Sequence, residues 1–156
     1  MKLSARFILT VCLVILAHTS LLPGAQIRLE RADSSTATQT ATGIVYEFFG
    51  QVHFVRDSTD LFADYVARYE PGNLVRLLGN VRINEPQRVL AADSLWYDQK
   101  NDSMFAWGQV AIEDRPRHVK ATGGEAVYNG KTNSLVMSQH PKLIVDFDLP
   151  QVVTLV

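Results

Sequence analysis

Cysteine is almost missing from this chain of 156 residues, and the single one, Cys12, lies inside an apolar run near the N-terminus. Beyond that run there is no thiol for a disulfide or a thiolate zinc site, so the core must hold by burial alone. An excess of one charge is missing too: 15 basic against 16 acidic residues give a net charge of -1, with no electrostatic footprint for nucleic acid. No convincing helical window interrupts the chain, and no phosphate-cradling loop opens a helix, since "TGGEAVYNG" is followed by no helix signal. His53, His118 and His140 have no metal-ligand spacing and read as surface or turn residues. "DSTD" with Asp64 reads as turn chemistry, and "DQKND" lacks the glycine and closing Glu of a calcium loop. Enzyme, metal-site and cofactor readings therefore start without a constellation to carry them.

What is present begins with an export signal. Lys2 and Arg6 precede "FILTVCLVILA", an apolar run of signal-peptide rather than membrane-spanning length. Residues 1–25 are expected to direct export, either cleaved after Ala25 or kept as an N-terminal anchor at the inner membrane. Cys12 has bulky Val11 before it and sits inside the run, which argues against lipidation. Residues 26–42, rich in Ser, Thr and Ala, read as a flexible lead-in, and residues 43–156 as one folded domain. With 47% hydrophobic and 20% charged residues, the chain as a whole has the composition of an ordinary globular protein.

Within it the sequence repeats. Gly50-Gln-Val, Gly79-Asn-Val and Gly108-Gln-Val recur every 29 residues; so do Phe54, Ile83 and Ile112, then Leu61, Leu90 and Val119, then Ala63, Ala92 and Ala121. Around each glycine the apolar residues alternate, as in Phe48, Gly50, Val52 and Phe54, and period two means strand. Tyr69, Tyr97 and Tyr128 open the turn-like segments "YEPGN", "YDQKND" and "YNGKTN", while "RDSTD", "NEPQ" and "EDRPR" break each unit in the middle. A fourth, partial copy begins at "HPKLIVDF". Each unit is thus a strand pair that cannot bury its apolar face alone, and the expected fold is an all-β sandwich or jelly roll of stacked antiparallel hairpins. The repeated glycine marks a bend or a close backbone approach.

The alternation turns Val52, Phe54, Leu61, Val81, Ile83, Leu90, Val110, Ile112 and Val119 inward, with Ala63, Ala92 and Ala121. They form either a packed core or the wall of a ligand space. Trp96 and Trp107 are assigned to core packing. Arg82, Arg88, Arg115, Arg117 and Lys120 gather near strand-turn junctions, as solvated charges or as groups that meet phosphates.

The elements "GNVRI", "LAADSLWYD", "AWGQVAI" and "ATGGEAVYNGKTNSL" resemble the OstA-like domain of the lipopolysaccharide-transport proteins, the family of LptA, LptC and the N-terminal domain of LptD. The similarity runs from about Gly43 to Phe147. The third copy departs from the pattern, with Thr122 in place of the expected Asp and an added "GG". The resemblance implies a periplasmic β-jelly roll of two facing sheets, open like a book, whose interior receives the acyl chains of lipid A. On that basis Val52, Phe54, Leu61, Val81, Ile83, Leu90, Val110, Ile112 and Val119 are the expected lipid-binding residues. Open terminal edges would dock onto similar domains of the transport bridge or onto further copies of this chain, head to tail, with "LPQVVTLV" either the docking strand or simply the last strand of the sheet. The expected function is non-enzymatic transport of lipopolysaccharide or a related glycolipid, without cofactor or metal. The alternative is an adaptor domain that keeps the edge contacts and carries no lipid.

Overall fold

The computed structural model describes residues 27–145 apart from 99 and 133. The export segment 1–25 and the terminal "LPQVVTLV" lie outside the described residues. Among the described residues every helix or strand is a strand: β1 (Arg28–Arg31), β2 (Ser34–Thr40), β3 (Gly43–Arg56), β4 (Thr59–Glu70), β5 (Leu74–Glu85), β6 (Arg88–Asp98), β7 (Ser103–Asp114), β8 (Val119–Asn129), β9 (Ser134–Ser138) and β10 (Lys142–Val145). Strands β3 to β8 form an antiparallel meander in sequence order. β1 and β2 share the free side of β3, and β9 and β10 share the free side of β8, so the sheet is not closed. The hairpin tips fall at the breaks expected from the sequence, where Asp57, Asn73, Asp102 and His118 take positive φ.

The meander does not lie flat. Phe48 and Phe54 are six residues apart on β3, which would separate them by about 20 Å on a straight strand. Their ring centroids are 5.1 Å apart, edge to face. β3 therefore doubles back between them, and the same corner recurs on β5 and β7. At each one the pairing register shifts: between Phe49 and Val52, between Leu78 and Val81, and between Trp107 and Val110. The residues left over are Gly50-Gln51, Gly79-Asn80 and Gly108-Gln109, and both members of each pair have positive φ. Two consecutive left-handed residues make a bulge that turns the strand sharply, and glycine is the residue that enters it without steric cost.

The side chain that fills the corner comes from the neighbouring strand. A Cβ on Gly50, Gly79 or Gly108 would collide with the carboxylate of Asp33, Asp64 or Asp93 respectively. The bulge is held by these groups: Asn80 Nδ2 donates to Asp64 Oδ2 at 2.8 Å, and the Asp33 N–H donates to the carbonyls of Phe49 and Gly50 at 2.8 and 3.1 Å. This accounts for a Leu-x-Ala-Asp element in the first two repeats, Leu61 to Asp64 and Leu90 to Asp93, whose aspartate occupies the hollow that the glycine leaves.

Strand halves on either side of the corners form two facing leaves, with one continuous core between them. Val52, Leu61, Val81, Ile83, Leu90, Val110 and Ile112 from one leaf pack in a single cluster with Val66, Val75, Leu77, Leu95, Tyr97, Met104 and Tyr128 from the other.

Two expectations are corrected. Most of the expected flexible lead-in, Arg28–Arg31 and Ser34–Thr40, is part of the sheet. β1 and β2 pair with the two halves of β3, and Ala32-Asp33 repeats the Ala-Asp corner of the later units. The sheet thus begins at Arg28 rather than Gly43; its Ser- and Thr-rich strand is fully exposed, so it lacks the apolar alternation that marks the others. Trp96 and Trp107 are not core residues: Trp96 faces outward at 41% exposure and packs on Trp107. The irregular third copy is also resolved. There the neighbouring strand is cut into β9 and β10, with Gln139 and His140 at positive φ, and Gly123 and Gly124 on β8 make room for Met137 and Gln139.

The corner predicts a contrast between two glycines. Gly79→Ala forces a side chain into a left-handed residue against Asp64, and is expected to cost about 2–4 kcal/mol in urea unfolding. Gly72→Ala, where an added Cβ would meet only the Tyr69 carbonyl oxygen at 3.9 Å, should change stability by less than about 0.5 kcal/mol.

Candidate functional site

Most of the interior is full. Val52, Leu61, Val81, Ile83, Leu90, Val110, Ile112 and Val119 are buried, the first seven within the main core cluster. Of the nine side chains expected to meet a ligand, Phe54 alone lines the interior cavity. That cavity, about 460 Å³, opens between the leaves at the β3 end of the sheet. Its apolar floor is Phe48, Phe54, Val66 and Val75, with Ile27 from the strand-leading residue before β1. Tyr46, Arg68 and Glu70 complete the lining.

The rim is polar because β4 carries charge on its inward face past the corner. Arg68 pairs with Glu70 through Nη2 and Oε1 at 2.5 Å, and its Nε is buried without a hydrogen-bond partner among the described residues. An apolar floor with a guanidinium, a carboxylate and a phenol at its mouth suits a ligand with hydrocarbon at one end and polar groups at the other. Phe48 and Val75 belong to alternating faces visible in the sequence. Arg68 and Glu70 do not announce themselves, since charges at alternate positions ordinarily mark a solvated face.

Of the basic residues near the other hairpin tips, four are engaged within the fold. Asp114 is 2% exposed and sits between Arg88 Nε at 3.4 Å and Arg117 Nη1 at 2.9 Å. Arg82 donates to Asn84, and Arg115 donates to the Pro86 carbonyl while facing Glu113. Lys120 is exposed and borders a second hollow with His118 and Ile144. The histidines show no metal grouping among the described residues. His53 stacks on Phe62 and bonds Asp60 at 2.7 Å on the outer face, while His118 and His140 are exposed.

An antiparallel jelly roll left open along its edges, with an apolar interior and a polar mouth, defines a class of β-domain built around a groove. The chain belongs to the LptA/(LptD N-terminal domain) LPS transport protein family, whose model matches residues 31–148. Among solved structures it is similar to LptH, the LptA-homologous periplasmic component of the lipopolysaccharide transport device of Pseudomonas aeruginosa. The two share 14% identity and a TM-score of 0.62 over 78% of this chain and 95% of that one. At that identity the likeness concerns the fold. Among curated proteins no sequence matches the chain.

One half-buried carboxyl, at the tip between β5 and β6, gives a pH test of the fold. Burial raises the pKa of Glu85, with Arg88 pulling it back, and Glu85 Oε1 has no hydrogen-bond partner among the described residues. A carboxyl raised in the folded state binds its proton more tightly there than in the unfolded chain. Its contribution is therefore fully present below the ordinary carboxylate range and is lost as pH rises through the folded value. Glu85→Gln is expected to raise the melting temperature at pH 7 by about 2–4 °C. In thermal melts taken stepwise toward pH 4, the gap to wild type should close.

Proposed function

We propose that this chain is a periplasmic, non-enzymatic carrier of lipopolysaccharide or a related glycolipid, which holds acyl chains between its two leaves at the β3 end. The observation that supports this best is the half-open cavity, apolar within and lined at its mouth by Tyr46, Arg68 and Glu70. Each methylene moved from water to such a surface contributes about 0.8 kcal/mol, so a few buried carbons hold the lipid while its sugars and phosphates stay wet. The well-packed remainder of the core marks how far a tail enters without rearrangement. To admit more, the leaves must part, and an unclosed sheet allows that along its free edges.

Those edges supply the other half of the reading. β1 and β2 at one end, and β9 and β10 at the other, each leave one side without a partner strand among the described residues. Addition of a strand from a neighbouring jelly roll would satisfy them and line up successive interiors. The partners are accordingly similar domains of a transport bridge, or further copies of this chain, joined head to tail.

The test is photo-cross-linking in cells, with a photoreactive side chain at Phe54 and, as a control, at Val55, whose side chain points to the opposite face of the strand. Lipopolysaccharide adducts are expected at Phe54 alone. Absence of adducts at both positions in a folded, exported protein would contradict the carrier reading and leave the adaptor, a domain that joins others by its edges without lipid.

A further inference from the structure

The outer face of the second leaf carries an apolar row that neither the core nor the cavity uses. Trp96 on β6, Phe105 on β7, Val127 on β8 and Val136 on β9 stand directly opposite one another in the strand register. All four are exposed, from 37% at Phe105 to 61% at Val136, and together they span about 14 Å across the sheet. Trp107, in the next row, stacks on Phe105 at 5.3 Å and meets Trp96 edge-on at 5.8 Å. The corresponding row of the other leaf is different in kind: His53, Phe62, Arg82, Ala91, Ala111 and Thr122. Scattered exposed apolar residues are ordinary, but a contiguous apolar row backed by a second tryptophan marks a contact surface.

The charges around the row point to its occupant. Arg76, directly opposite Trp96, lies over the indole at 5.2 Å from its centroid and makes no ion pair with a described carboxylate. Lys100 and Lys131 sit exposed in the two hairpin turns that close this end of the leaf. The two carboxylates of the same turns are directed into them: Asp98 accepts from Asn101 N–H and Nδ2, and Asp102 accepts from the Tyr97 hydroxyl. A flat patch of indole, phenyl and aliphatic side chains, with the half-buried Arg76 laid on one indole and two exposed lysines at its end, is the composition that settles at a lipid headgroup boundary, where rings enter the interface and cations meet phosphates. We infer that the outer face of β6 to β9 docks on the surface of an anionic phospholipid membrane, independently of any lipid held between the leaves.

The chain contains two tryptophans, Trp96 and Trp107, so its indole fluorescence reports on this face alone. The full folded chain is mixed with vesicles of phosphatidylethanolamine and phosphatidylglycerol, or of phosphatidylcholine, and followed by flotation and by quenching from brominated acyl chains. Flotation with the anionic vesicles and quenching of the indoles are expected. Phe105→Ser with Val136→Ser should lower partitioning at least tenfold, and Lys100→Gln with Lys131→Gln roughly fivefold per lysine. Unchanged circular dichroism and retained lipopolysaccharide binding in these variants would separate the face from the groove. Failure of the wild-type chain to float overturns the inference and leaves the row to a protein partner. Flotation that survives all four substitutions, or that proceeds without quenching, overturns it as well.

Discussion

Every other feature of this protein depends on one contact: an aspartate from one strand set into the hollow of a glycine on the next. The glycine and its successor adopt left-handed backbone conformations that bend the strand, and the carboxylate from the neighbouring strand fills the space where a side chain cannot stand. Because the contact recurs at Asp33 and Gly50, Asp64 and Gly79, and Asp93 and Gly108, each long strand turns at the same level and the sheet folds as a unit. A single bulge would kink one strand; aligned bulges make a crease. The two leaves, the core between them and the cavity at their open end all follow from that alignment.

The crease is filled unevenly along the stack of strands. Toward β7 and β8 the interior is packed with Ile112, Met104, Leu95 and Tyr128, and dense packing of this kind leaves no room for a guest. Toward β3 the facing side chains are Phe48 and Phe54, which meet each other and leave space beside them. The same gradient runs through the polar groups. Asp114 is enclosed by two arginines at the packed side, whereas Arg68 and Glu70 border the cavity. The carrier role proposed above draws on both ends, one to hold the fold together and one to yield to hydrocarbon.

Much of this was legible in the sequence, and what was not has a physical reason. The 29-residue repeat gave the hairpins, their tips and the inward side chains, because burial imposes period two on any half-buried strand. It also marked Gly50, Gly79 and Gly108 as bends. It did not reveal that the aspartate of Leu-x-Ala-Asp was the partner of the next glycine, since that contact joins neighbouring strands rather than neighbouring residues. Nor did it reveal β2, whose exposed Ser and Thr carry no apolar alternation, although Ala32-Asp33 held the same corner signal. Period two also cannot tell a packed core position from a ligand wall. Ile83 and Phe54 occupy equivalent places in the repeat, yet the first is sealed and the second lines the cavity, because only Phe54 lies near the end of the stack. The tryptophans misled for the opposite reason: a large apolar side chain ordinarily goes inside, and here a whole row of them does not.

The most direct test of this account is a nuclear Overhauser experiment on the folded protein with its phenylalanine rings isotopically labelled. If β3 doubles back at Gly50-Gln51, the rings of Phe48 and Phe54 give strong mutual cross-peaks, as their 5.1 Å separation requires. If no cross-peak joins them while both rings are assigned and ordered, the strand runs straight, the leaves do not face each other, and neither the common core nor the cavity described here exists.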